Sequence, residues 1–158
     1  MADARFEDGE EGPLKLIALG EADLSVFSAL LQDAVLPASE MRYERRARRF
    51  VALVNRLRHE DLAAARRSGR PPERVQSLLT VRDVLEVASQ GITPGNADQI
   101  LSLLSLSWEP GDEGSGALTL ILAGDGAIRL RLETLELQLE DVTRPYIAPS
   151  RKVPDHGA

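Results

Sequence analysis

Arginine is the chemically distinctive residue of this chain, and it is concentrated. Eleven of the 19 basic side chains lie between Arg42 and Arg74, against four acids there: Glu44, Glu60, Asp61 and Glu73. That window carries +7 and the remainder −13, for a total of −6. A guanidinium donates paired hydrogen bonds in a fixed plane, which suits carboxylate and phosphate. Two groups stand out. Arg42, Arg45, Arg46, Arg48 and Arg49 fall in RYERRARRF, and Arg66, Arg67, Arg70 and Arg74 surround SGRPPER. Should a hairpin and the following loop bring them together, they would form an anion-contacting surface. The partner expected first is an acidic protein face, and nucleic acid second. Aromatic residues make up only 4% of the chain, and Tyr43 and Phe50 alone flank the cluster. Single-stranded nucleic-acid readers rely on stacking platforms, which are scarce here. The competing structural role is a solvated edge that discourages strand-to-strand aggregation.

A second constellation is polar and sits among apolar residues. Asn55 and Arg56 interrupt the run FVALVNRL, where a polar pair needs hydrogen-bond partners or a cavity. Gln32 and Asp33 fall at the end of an amphipathic segment. Together the four define the rival expectation, a small-ligand or enzyme pocket of at least a few hundred Å³.

Other chemistries have little to work with. There is no cysteine, which removes disulfides and thiolate chemistry. The two histidines, His59 and His156, lie in a loop and in the tail, so no Ser-His-Asp arrangement is expected and His59 reads as a solvated loop residue. Neither HExxH nor any histidine pair marks a metal site, and no GxxxxGK[ST] loop marks a phosphate site. No cofactor and no catalytic residue are expected. An acidic N-terminus without an apolar stretch gives no signal peptide, and no apolar run is long enough to span a bilayer. The expected location is therefore cytoplasmic, with no membrane partner. Oligomeric state stays open, with self-association through Ala34–Tyr43 one route.

The elements that must position these residues follow from periodicity. Residues 1–12 read as a disordered acidic segment, 13–143 as one globular domain with an exposed loop at 59–74, and 144–158 as a disordered tail. Within the domain, Leu14–Ala18 reads as a strand. Leu24, Phe27, Leu30 and Leu31 give a helical stripe from Gly20 to about Asp33. Residues 34–43 read as an extended edge broken at Pro37, and Arg49–Leu57 as a strand. Val75–Ala88 reads as one long strand with a bulge near Arg82-Asp83, Asn96 to about Leu103 as a short helix, and Leu104–Trp108 as a half-buried strand. Leu118, Leu120 and Leu122 alternate, as do Ile128, Leu130 and Leu132, and Gly124-Asp125-Gly126 joins them as a tight hairpin. Thr134 reads as the cap of a closing helix with Leu135, Leu139 and Val142 buried. The fold class is α+β: a mostly antiparallel sheet of about seven strands, with one helix after the first strand and a C-terminal helix. A pleckstrin-homology-like barrel matches that order, although the first helix is foreign to it; an open sheet covered by two helices is the alternative.

LKLIAL at 14–19, LQDAVL at 31–36, RRF at 48–50, NR at 55–56, GI at 91–92, LLSLSWEP at 103–110 and GAIRLRLE at 126–133 together resemble an alphaproteobacterial domain-of-unknown-function family, DUF2948. The resemblance runs over about residues 14–142. It implies no activity, ligand or catalytic residue. The chain departs from the family pattern around SGRPPERV, so a role for that basic loop would be its own. The reading that results is a non-catalytic binding or scaffold module with an arginine-rich contact surface.

Overall fold

Alternation of apolar and polar residues dominates the chain. The computed structural model, which describes residues 12–147, turns it into sheet. In chain order the elements are β1 (Lys15–Ala18), α1 (Glu21–Leu31), β2 (Val35–Pro37), β3 (Met41–Glu44) and β4 (Arg49–Leu57). There follow α2 (Leu62–Ser68), β5 (Glu73–Val81), β6 (Val84–Gln90), β7 (Ile100–Pro110), β8 (Gly116–Leu122), β9 (Ala127–Leu132), β10 (Leu137–Asp141) and β11 (Tyr146–Ile147). Short 3₁₀ turns precede β3, α2 and β8.

All strand pairs are antiparallel, in the order β1-β10-β5-β4-β2-β7-β8-β9-β6, with β3 added to β4 and β11 to β5. Residues from both halves of this sheet and from α1 form one buried cluster. Leu24, Phe27, Leu30 and Leu31 of α1 enter it, as their spacing requires. Glu21 and Asp23 occupy the first turn of α1, where the helix dipole favours anions.

The fold class departs from the expected α+β arrangement. The protein is mostly β, with eleven strands rather than seven. The C-terminal helix is β10. Leu135, Leu139 and Val142 satisfy helical spacing, but Leu137 and Leu139 also alternate with Gln138 and Glu140. Burial follows that second pattern, and Val142 is exposed. Thr134 caps no helix; its hydroxyl donates to Asp83 Oδ2 at 2.7 Å. Without that terminal helix the pleckstrin-homology-like order fails. So does the alternative of two covering helices, because α2 is a short element of the 59–74 segment.

Three further local differences raise the strand count. The long strand at 75–88 divides into β5 and β6, because Asp83 adopts φ 55° and turns the chain. The helix expected from Asn96 gives way to turns and then to β7 at Ile100, where Leu101 and Leu103 alternate inward. The segment 34–43 breaks after Pro37 as expected, but its two halves differ: β2 lies between β4 and β7, and β3 pairs with β4 alone among the described strands. The expected 118–132 hairpin is present as β8 and β9, and Asp125 at φ 64° with Gly124 at φ 78° supplies the turn. The disordered segments expected at the two ends fall largely outside the described residues. Within them, Tyr146 and Ile147 pair with Arg74 and Glu73.

Candidate functional site

β4 carries arginines at both ends. Eight residue steps separate Arg49 from Leu57, about 27 Å of extended chain. The hairpin Met41–Phe50 lies at its beginning. The 59–74 segment lies at its end, where Leu57 pairs with Arg74. The two arginine groups that share a sequence window therefore occupy opposite ends of a strand.

At the hairpin end, Arg42, Arg45 and Arg46 are exposed and have no carboxylate within 4 Å among the described residues. Arg49 is paired: Nε to Glu44 Oε1 at 2.8 Å and Nη2 to Oε2 at 3.2 Å. Hydrogen bonding to Arg49 pulls the Glu44 pKa below the ordinary carboxylate value; its slight burial opposes this, and the charges of Arg49 and Arg42 reinforce it. Arg48 meets Glu133 at 3.1 Å across solvent-exposed surface. Backbone and side chain fix the tip in place. Tyr43 Oη donates to the Val84 carbonyl at 2.9 Å, and the Val84 N–H donates to the Arg48 carbonyl at 2.8 Å. The three unpaired guanidiniums thus stand on a braced hairpin.

At the other end most arginines are used internally. Arg56 is 0% exposed, the largest fully buried side chain among the described residues. Its Nη1 and Nη2 donate to the two oxygens of Glu60 at 2.9 and 2.8 Å. Nη2 also reaches Asp141 Oδ1 at 3.0 Å, and Nε reaches Ser77 Oγ at 3.0 Å. Burial opposes its charge, yet the hydrogen bonds and charges of Glu60 and Asp141 outweigh that and hold its pKa above the usual guanidinium value. Asp141 further accepts from Ser77 Oγ at 2.6 Å and from the Leu14 N–H at 2.9 Å. Arg56 therefore ties together β4, the turn at Glu60, β5, β10 and the chain just before β1.

A second network lies beside it. Arg58 donates to Glu73 at 2.7 Å and approaches Asp61 at 3.5 Å; Arg70 bonds Asp61 at 2.6 Å and lies 3.4 Å from Glu73. Burial alone would raise the Asp61 pKa. Its hydrogen bonds, that from Arg70 foremost, and the charges of Arg58 and Arg70 lower it overall. Arg66 and Arg67 are exposed in the last turn of α2, where cations suit the helix dipole. Gly69, at φ 69°, closes that helix.

Of the four expected pocket residues, Asn55 lines a described cleft and shares Arg74 with Asp33, whereas Gln32 and Arg56 do not join them. Strand alternation sends Arg56 inward and Asn55 outward. Asn55 lines a cleft of about 260 Å³ with Val35, Pro37, Glu40, Leu53, Gln76 and Ile100, whereas Arg56 lines none of the described clefts. Asp33 is buried at φ 67°, and its carbonyl accepts from Arg74 Nη1 at 3.4 Å. The Gln32 carbonyl contacts His59 Nε2 at 2.8 Å, so His59 clamps the end of α1 instead of standing in solvent. Ser77 and Asp141 form a hydrogen-bonded pair, but Ser77 is 0% exposed and its other partner is Arg56, so it has no route to a substrate. Tyr146, which no sequence motif marks, meets the Asn55 amide through its hydroxyl.

These features define an antiparallel β domain with charged networks at one end and open guanidiniums at the other. The chain belongs to the family described as protein of unknown function DUF2948, whose model matches residues 14–156. Comparison with curated proteins gives no match, nor does comparison with solved structures. Among the described residues, no helix is long and apolar enough to cross a membrane.

Proposed function

We propose that this domain is a non-catalytic binding module whose β3–β4 hairpin docks on an acidic face of another protein. The observation that supports this reading is the set of three exposed guanidiniums, Arg42, Arg45 and Arg46, that have no carboxylate among the described residues. On a chain of net charge −6 such a patch orients an encounter, because it presents an attractive face to an anionic partner. A protein partner is favoured over nucleic acid. The patch is confined to one hairpin; of the two aromatics that flank it, Phe50 is buried in the core, and Tyr43 packs against the core and bonds Val84 through its hydroxyl. No ring is left to stack on a base. The distant Arg66–Arg74 group belongs to a separate surface and does not extend this one.

The test uses a glutamate-rich peptide, single-stranded DNA and duplex DNA as probes, titrated against the full chain across a salt series. The peptide should bind, weaken as salt rises, and lose binding when Arg42, Arg45 and Arg46 are all changed to Glu. That variant should keep its stability within about 0.5 kcal/mol, as exposed substitutions do. Failure of the peptide to bind at low salt, or tighter binding of either DNA, overturns the proposal.

A further inference from the structure

Arg74 differs from every other arginine at its end of β4 that is not fully exposed. It is half-buried, yet it has no carboxylate within ion-pair distance among the described residues. All its hydrogen bonds run through Nη1, to the Asp33 carbonyl at 3.4 Å, the Asn55 carbonyl at 3.2 Å and Asn55 Oδ1 at 3.3 Å. These are long contacts to neutral acceptors. A guanidinium has five N–H donors, and those on Nε and Nη2 have no protein partner among the described residues. The Asn55 amide is fixed between Arg74 and Tyr146: its oxygen accepts from Arg74, and its nitrogen donates to the Tyr146 hydroxyl. That hydroxyl accepts one hydrogen bond and keeps its own proton for another acceptor.

A second observation adjoins the first. The cleft that Asn55 lines has apolar walls from Val35, Pro37, Leu53 and Ile100, and Ile100 is 66% exposed. Gln76, also in the cleft, pairs with Asn55 and lies two residues from Arg74, on the same face of β5. An apolar cleft that shares Asn55 with a guanidinium lacking a carboxylate among the described residues matches a ligand with an apolar body and one anionic head. Glu40 also lines the cleft; its carboxylate disfavours a second anionic group there.

We infer that Arg74, Asn55 and Tyr146 form the head-group site, and the Val35–Ile100 cleft the body site, for a small oxyanion carried on an apolar group. The head is a carboxylate or a phosphate; both present oxygens that a guanidinium, an amide and a phenol can contact together. This inference is independent of the hairpin docking surface, about one strand length away.

Benzoate and phenyl phosphate serve as probes, with acetate and inorganic phosphate as their heads alone and benzyl alcohol as an uncharged body. Binding is followed by calorimetry at constant ionic strength and by the Asn55 side-chain amide signal in NMR. One aromatic anion should bind saturably and more tightly than its bare head, and should shift the Asn55 signal. Tighter benzoate assigns a carboxylate head, tighter phenyl phosphate a phosphate head. Arg74→Gln should weaken binding about tenfold or more, the usual size of a charged hydrogen-bonding loss. Ile100→Ser should weaken it about threefold. Arg74→Lys keeps the charge without the paired donors and should also weaken binding, which provides a test should Arg74→Gln not fold. The Arg42, Arg45 and Arg46 triple variant should bind unchanged. No saturable binding of either aromatic anion, equal binding of benzyl alcohol, or wild-type affinity in both Arg74 variants overturns the inference.

Discussion

The two ends of β4 carry the same residue type in the same stretch of chain and use it in opposite ways. At the Leu57 end, Arg56, Arg58 and Arg70 meet Glu60, Asp61, Glu73 and Asp141, and the first of them is sealed from water. At the Arg49 end, among the described residues, Arg48 and Arg49 have carboxylate partners and three guanidiniums have none. Local composition does not separate these cases. The difference lies in what the topology brings alongside. β5 and β10 deliver Ser77, Glu73 and Asp141 to one end. Among the described residues, the carboxylates that the hairpin tip meets are its own Glu44 and Glu133 just past β9. The ion-paired arginines of the Leu57 end hold the fold; those of the open end are the ones proposed to meet a partner.

The comparison is most exposed to attack at Arg56. Arg56→Met leaves Glu60 and Asp141 buried without their cation, and breaking a buried pair in this way costs about 3–5 kcal/mol. Urea unfolding should register that loss, a large part of the roughly 5–15 kcal/mol available to a domain. A loss below about 1 kcal/mol would show that the buried network does not hold the fold. The neighbouring network gives a smaller, pH-dependent effect. The Asp61 pKa is depressed in the folded state. Its stabilising contribution is therefore complete above the unfolded value of about 4 and fades as pH falls through the folded value. Arg70→Gln removes the foremost of the contacts that lower it, so the Asp61 titration midpoint should rise and acid unfolding should begin at higher pH. An unchanged midpoint, read by carboxyl NMR, contradicts the assigned pairing. The smallest effect belongs to the open end. Arg48 sits at φ 51°, and its ion pair with Glu133 is more than half exposed on both sides. Arg48→Gly relieves the left-handed backbone and loses a contact worth about 0–1 kcal/mol. Thermal unfolding should show a change within about 0.5 kcal/mol, as is usual for surface substitutions.

Local patterns were legible where one periodicity had no competitor. The stripe Leu24, Phe27, Leu30 and Leu31 fits only a helix, and the alternation on both sides of Gly124-Asp125-Gly126 fits only a hairpin. Leu135–Val142 fits both periods, and pairing with β1 and β5 decided it in favour of a strand. The division between β5 and β6 rests on one positive φ at Asp83, which apolar spacing does not register. The polar pair at Asn55 and Arg56 was visible as an anomaly, and alternation alone already puts the two on opposite faces. The partners were not visible. Glu60 is four residues from Arg56, but Asp141 is 85 residues away, and no local signal joins them. Arg74 stood in the sequence as one of nine similar guanidiniums; only the fold shows that it lacks the carboxylate its neighbours have.

The Asp141 carboxylate has a consequence for the order in which the chain can fold. It closes contacts with Leu14 across 127 residues and with Arg56 across 85. During synthesis, a nascent chain that ends before residue 141 holds Arg56 without one of its two counterions, and β1 without the strand on which it pairs. Contacts of such sequence separation form slowly, because a long loop must close before they are rewarded. The domain should therefore complete its structure only after nearly all of it has left the ribosome. Until then its Leu57 end lacks the Asp141 contacts that close it in the finished protein.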